Sequence, residues 1–411
     1  MHKRVLIATF LLCAILLNGC WDRRELESLG FVQALALDLQ KDGKGLTVTT
    51  MIAIPPKLAP GTEGGGGGDD SGVQVISMDA PSIYEAFNLI NTTVNREVTL
   101  VQNQILIFGE DLAKKGVQKW IDNLVRFREM RRTLLIFISK GKAADLLKVK
   151  PKIEKNPAEY LSDLVSLSKR TGMFPMTDLQ DFLGRYEAFA QQNYAPLLAK
   201  YKQKGGEDPK PESTGGEGGA GKTASPPEPE DVRLIGTAVF NKDKVIGSLD
   251  IYETQVLQLL TNQFNEAYLT ITDPQKNEYK IIFRLLATNP VNITYWQKDV
   301  AHFLVKLNLE ADIVSIQSDI NYTEPDKEVI LSTQIARELE RRIRKLISKT
   351  QNKYQSDIFG FGVKVRNTML TSTDWDNYHW PDKYSDSIVH VKVKVNVRRV
   401  GVQFQPPEDR N

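Results

Sequence analysis

Cysteine and histidine are nearly missing from this chain. Only Cys13 and Cys20 occur, with four histidines, in 411 residues. There is no His-Glu-x-x-His run and no Cys/His cluster, so a structural or catalytic zinc has no ligand set to draw on. Asp374, Asp376, Asp382 and Asp386 lack the central glycine of an EF-hand loop, which leaves calcium without a cradle. No serine stands in a Gly-x-Ser-x-Gly elbow. An excess of charge is missing as well, since 53 Lys+Arg face 51 Asp+Glu. A nucleic-acid binder draws its affinity from neutralising phosphates, and a balanced chain is poorly suited to that. No apolar stretch reaches the roughly 20 residues of a membrane-spanning helix. What is present, 41% apolar and 25% charged residues, is the composition of a folded globular protein.

Lys3 and Arg4 precede an apolar run from Val5 to Leu17, which leads to Gly19-Cys20. A basic lead, an apolar stretch of this length and a small residue before the cut describe a secretory signal peptide over residues 1–19. With Leu17 three positions ahead of the cysteine, the site looks like a bacterial lipobox, and Cys20 is expected to carry a covalent lipid. Acyl burial contributes about 0.8 kcal/mol per methylene, so two or three chains make a lasting tether. Cleavage removes Lys3 and Arg4 but no acid, leaving 51 basic against 51 acidic side chains. Cys13 leaves with the signal, so the mature monomer has no cysteine pair for a disulfide.

Past a lead-in at residues 20–28, Leu29–Leu39 and Leu46–Ile54 read as a hairpin around Lys41-Asp42-Gly43-Lys44-Gly45. Ala59–Gly72, with its run of glycines, reads as a surface loop. Asp79 and Pro81 look like the start of a helix with Ile83, Phe87, Ile90 and Val94 at helical spacing. A strand Thr99–Phe108, a helix Asp111–Arg128, a strand Thr133–Ser139 and a short helix Lys142–Val149 follow. This alternation predicts an α/β domain over residues 29–150.

Asn156-Pro157 opens a helix to Arg170, and Thr177 with Gln180 makes a capping-box pattern for another through Tyr186. Gly205–Glu230, rich in Gly and Pro and without large apolar residues, is expected to be disordered. A hairpin, Leu234–Phe240 and Val245–Asp250, and a helix Glu253–Phe264 complete a middle domain, residues 151–265. In the last third Phe303, Val305, Leu307, Leu309, Ala311 and Ile313 share one strand face, as do Val389, Val391, Val393, Val395 and Val397. Between them a helix from Asp326 to Tyr354 carries the stripe Leu331, Ile335, Leu339, Ile343 and Leu346. A C-terminal domain, residues 266–405, is thus expected as an antiparallel sheet crossed by a long helix. The fold class is multidomain, α/β and α+β, with mixed sheets packed by helices.

Gly216–Thr223 matches the P-loop pattern letter for letter. Prolines on both sides forbid the strand and helix that such a loop needs, so the match carries no nucleotide chemistry. His302 and His390 fall in alternating strands and read as structural or solvent-facing. The helix face with Arg341 and Arg344 is laced by the Glu-first pairs Glu338–Arg342 and Glu340–Arg344, the pattern of a solvated surface. Trp375, Tyr378 and Trp380 fall in an expected loop beside that basic face. Aromatic and arginine side chains dominate interfaces, which makes these five residues the candidate partner surface. The alternative is that the tryptophans plug the edge of the local core. No catalytic residue or metal ligand emerges.

The start Cys20-Trp21-Asp22-Arg23-Arg24-Glu25-Leu26-Glu27 resembles the mature N-terminus of the Ger(x)C spore germination lipoproteins. The likeness continues at Gly236-Thr237-Ala238-Val239-Phe240 with Lys242–Gly247, at Asp357-Ile358-Phe359-Gly360-Phe361-Gly362, and in the closing β-run through Gly401. The resemblance implies a three-domain α/β lipoprotein on the outer face of the spore inner membrane. It implies a C subunit of a nutrient germinant receptor, assembling with membrane A and B subunits to trigger germination, with no catalytic residue and no cofactor beyond the lipid on Cys20. Whether such a subunit touches the germinant stays open. A tethered solute-binding protein would need two similar lobes around a cleft, and an anchored hydrolase a catalytic constellation; neither pattern is evident.

Overall fold

The computed structural model describes residues 28–53, 73–149, 157–167, 171–201, 231–263 and 266–399. The signal segment, Cys20, the run of glycines before Gly72 and the Gly205–Glu230 tract with its P-loop match lie outside the described residues.

β1 (Leu29–Leu39) and β2 (Leu46–Ala53) form the expected hairpin, and β3 (Val73–Ala80) adds a third antiparallel strand. Because β3 runs through Asp79, the helix α1 (Ile83–Asn91) starts later, capped by Ser82, whose Oγ accepts from the Glu85 amide at 3.2 Å. The expected strand at 99–108 is two pieces, β4 (Glu97–Thr99) and β5 (Ile105–Phe108). Glu129 bends the chain between them by accepting from Thr99 Oγ1 and the Leu100 amide at 2.7 and 2.9 Å. The expected helix 111–128 is likewise split, into α2 (Glu110–Lys115) and α3 (Gln118–Val125). The break is Gly116 at φ 130°, where a Cβ would stand 2.5 Å from Asp243 Oδ2. Only glycine lets the turn carrying Asp243 approach so closely.

β6 (Leu135–Lys140), α4 (Ala143–Leu147), α5 (Pro157–Ser166) and α6 (Leu179–Ala188) come next. The cap of α6 is Asp178, which accepts from the Asp181 amide at 2.7 Å, one residue past the expected Thr177. Thr177 is buried and donates to the Tyr194 carbonyl at 3.0 Å. β7 (Tyr194–Tyr201), β8 (Asp231–Asn241) and β9 (Lys244–Leu249) then extend the same sheet. Its order is β3-β2-β1-β5-β6-β7-β8-β9, with β4 beside the start of β1. Four parallel strands, β1, β5, β6 and β7, form the centre, and antiparallel hairpins flank them. The boundary expected at residue 150 separates no sheets, since one sheet spans both segments.

Both faces of this sheet are covered, which explains near-continuous apolar strands such as Ile105–Phe108. Leu106, Phe108 and Ile136 pack with α1, α3 and α6; Ile105, Ile107 and Phe137 pack with α4 and α5. α7 (Ile251–Leu260) begins in a full capping box, Asp250 with Glu253, earlier than expected. From Thr254 onward it is buried on all sides, and its Gln255 and Gln258 amides donate to the Thr171 and Phe174 carbonyls.

The C-terminal part follows the expected plan. β10 (Glu266–Thr272), β11 (Lys280–Leu286), β12 (Asn292–Gln297) and the long β13 (Ala301–Ile316) are mutually antiparallel where they pair. α8 (Pro325–Lys349) crosses the sheet and buries all five residues of its predicted stripe. A π-helical turn, Thr350–Tyr354, leads to α9 (Phe361–Arg366), α10 (Ser372–Tyr378), α11 (Trp380–Lys383) and the last strand, β14 (Ile388–Arg399). β14 departs from the antiparallel pattern: it pairs with β13 in parallel. Parallel neighbours need a long crossover, and α8 supplies it.

Candidate functional site

Three of the segments that carried the resemblance meet at one place, the seam between the two sheets. After the π-helical turn the backbone passes through Gln355 at φ 46° and enters Ser356–Gly362. Ser356 Oγ donates to the Phe240 carbonyl at 2.6 Å, and the Asp357 carbonyl accepts from the Gln192 amide at 2.7 Å. Gln191 Nε2 donates to the Ile358 carbonyl at 2.7 Å. Gly247 lies under Tyr354, where a Cβ would stand 2.3 Å from the ring, and Tyr354 OH donates to the Ser248 carbonyl at 2.8 Å. The hairpin β8–β9, the loop before β7 and the segment after α8 are thus stitched together by hydrogen bonds to main-chain carbonyls.

Asp357 is the centre of this seam. Its Oδ1 accepts from the amides of Phe359 and Gly360 at 3.2 and 3.0 Å; its Oδ2 accepts from the Gly362 amide at 2.8 Å and Trp380 Nε1 at 2.9 Å. Burial lifts the carboxyl to about 6, while those donors pull the other way. The two glycines have separate reasons. Gly360 sits at φ 80°, and a Cβ on Gly362 would collide with the Trp380 indole at 2.3 Å and the Ala190 carbonyl at 2.5 Å. Phe361 packs tilted against Phe303 with centroids 4.9 Å apart, and Trp380 meets Phe303 edge-on at 5.7 Å. The sequence offered the motif but not its role, because two of its partners lie outside it: the Trp380 indole on the carboxylate and the Gln192 amide on the main-chain carbonyl.

The structure separates the candidate partner residues. Trp375 and Trp380 are buried, 6% and 1% exposed, in short helices and not in a loop. Trp375 Nε1 donates to the Ala188 carbonyl at 3.2 Å. Trp375 therefore ties the C-terminal part to the end of α6, Trp380 closes over Asp357 and Phe303 inside the C-terminal core, and both indoles are turned inward. Tyr378 is half-buried between them, with its hydroxyl 3.3 Å from Gln297 Oε1 and Lys383 over its ring at 3.8 Å. Arg341 grips both oxygens of Glu338 through Nε and Nη2, at 2.8 and 2.7 Å. Although burial raises it, Glu338 is held below the usual carboxylate range by Arg341 and Arg342. Arg344 bonds Glu340 at 2.7 Å and the Val391 carbonyl at 3.2 Å, while Glu340 accepts from the Val393 amide at 3.0 Å. This pair occupies backbone groups on the free side of β14, an edge that would otherwise invite another strand.

A second buried carboxylate escaped the sequence reading. Asp38 on β1 accepts from the amides of Ala143 and Ala144 at 2.8 Å each, capping α4 from another element. Burial raises its carboxyl despite those bonds. At the seam, a cleft lined by Arg185, Gln192, Asn193 and Lys242 encloses about 10 Å³, room for about one water. Among the described residues no group of three or more His, Cys, Asp or Glu is placed to hold a metal, and no helix is long and apolar enough to cross a membrane. The arrangement is one that couples two sheets rigidly.

Comparison with known proteins agrees with this layout. Residues 22–200 match the spore germination protein N-terminal domain, and residues 235–401 match the spore germination B3/GerAC-like C-terminal domain. The chain is 27% identical to YfkR of Bacillus subtilis (strain 168) over 399 residues, covering 96% of each protein. It is 24% identical to spore germination protein KC of the same organism over 411 residues, 98% of each, and 24% identical to spore germination protein GerQC of Bacillus cereus, over 96% of this chain and 98% of that one. The crystal structure of the GerBC protein shares the fold, with a TM-score of 0.52 at 16% identity over 92% of this chain and 99% of that one. The chain belongs to the Ger(x)C family, the C-subunit family of spore germination receptors.

Proposed function

We propose that this chain is a lipid-anchored receptor subunit, tethered by acyl groups on Cys20 to the outer face of the spore inner membrane and assembled there with membrane A and B subunits. The observation that carries the reading is the Leu17-to-Cys20 processing pattern at the head of a chain that matches germination proteins along nearly its whole length. The family is one of receptor subunits and not of enzymes, which fits action by assembly. Solute binding finds no support in the seam cleft, whose volume suits a water and no larger ligand. With both tryptophans inside, the surface we assign to the partner subunits narrows to Tyr378 and the outward guanidinium groups of Arg341 and Arg344.

The test is Cys20→Ala in spores. The variant is expected to leave the membrane fraction and to respond poorly to nutrients while folding normally. Full membrane retention with normal germination would reject the anchor.

A further inference from the structure

The C-terminal sheet has one face under α8 and one face open. On the open face Trp296 of β12 stands opposite His302 of β13, which stands opposite Ile388 of β14; Leu304 and His390 share the next rung. The three rings lie nearly parallel, with centroids 5.3 Å apart for Trp296–His302, 6.1 Å for Trp296–His390 and 6.2 Å for His302–His390. Parallel imidazoles do not share a metal, since a ligand metal lies in the plane of each ring and these planes are offset. Trp296, Ile388 and His390 are exposed.

A band of lysines follows directly. Lys306 and Lys392 face each other on the next rung, and Lys394 lies opposite Asn308 one rung further. All three are exposed, and no acid pairs with them among the described residues. Further along the same face the charges are matched: Arg398 pairs with Glu310, and Arg284 with Asp312 at 2.7 Å. Lysines on an edge strand can serve merely to deter strand pairing. That explanation reaches Lys392 and Lys394 on β14 but not Lys306, which lies on the interior strand β13.

We infer that this face, the Trp296–His302–His390 patch with Lys306, Lys392 and Lys394, is a docking surface for an anionic lipid bilayer. Tryptophan prefers the headgroup level, apolar Ile388 and Leu304 accompany it, and the ammonium groups meet lipid phosphates. The choice of occupant rests on the proposed anchor. Eight residues lie between Cys20 and Leu29, a reach of at most roughly 30 Å, so a bilayer is the acidic surface the fold would meet most often.

The test uses the processed chain with Cys20→Ala, which carries no acyl group, so its outcome is independent of whether Cys20 is modified. Flotation is measured with vesicles of phosphatidylcholine alone and of an equal mixture with phosphatidylglycerol. Binding to the anionic vesicles only, weakening as salt is added, is expected. Converting Lys306, Lys392 and Lys394 together to Glu should lower the partition coefficient on the order of a hundredfold, with Trp296→Ala giving a smaller loss. Melting temperatures should stay unchanged, because all four side chains point away from the core. Equal binding of the triple variant, or no binding of the parent chain, would overturn the proposal. So would retention on a poly-glutamate peptide without retention on vesicles, which would mark an acidic protein as the partner.

Discussion

At Asp357 a carboxylate is taken fully out of water, and among the described residues no cation is paired with it; only N–H donors hold its charge. Its raised value, about 6 against an ordinary 3.8, has a definite sign. The folded state binds the proton more tightly than the unfolded one, so Asp357 favours folding below about pH 4, and this contribution is lost as pH rises towards 6. Two units correspond to about 3 kcal/mol. Asp273 acts in the opposite sense: hydrogen bonds from Ser318, Tyr322 and two amides outweigh its burial and keep it low. The useful measurement is therefore a difference. The stability gap between the parent protein and Asp357→Asn should be wider at pH 4.5 than at pH 7.5 by roughly 2 kcal/mol in urea titrations. A gap that is constant, or that widens towards pH 7.5, would contradict the assignment.

Elements were legible to very different degrees, and the reason lies in where their partners come from. The β1–β2 hairpin and α8 were readable because each makes its pattern from its own residues: a turn rich in Gly and Asp, and a stripe at helical spacing. α2 and α3 read as one helix because the cause of the break, Asp243, lies far along the chain. β3 was missed because only Val73 and Ala80 are fully buried, which leaves no strong alternation. Trp375 and Trp380 read as loop residues because α10 and α11 are too short to show a period. One element-scale prediction follows from the ladder between β7 and β8, which pairs through Tyr201 with Asp231. With the strand ends already adjacent, a tight turn can replace residues 202–230, and closure entropy changes slowly with loop length. The shortened protein should melt within a few degrees of the parent. A large loss would show that the excised tract contributes contacts to the fold.

In the whole molecule the two sheets share a core. Tyr194 of β7, Val239 of β8 and Leu249 of β9 belong to the same apolar cluster as α7, α8 and the inner face of the second sheet. Lys349 near the end of α8 reaches Glu253 at 2.7 Å, tying it to the capping box of α7. A chain of this length often divides into domains that unfold separately. Here neither half can open without exposing apolar surface of the other. Calorimetry should give one transition with calorimetric and van't Hoff enthalpies in agreement, and two resolved transitions would refute the shared core.

The position of β1 has a mechanical consequence. It is not an edge strand: β2 flanks it on one side, and β4 and β5 on the other. If the proposed tether at Cys20 is loaded along the strand axis, the force enters at the first residue of β1, Leu29. Such a load shears both ladders at once, so the hydrogen bonds resist together and do not unzip one after another. Tension arriving from the membrane would then reach the seam and the second sheet without first peeling the fold apart.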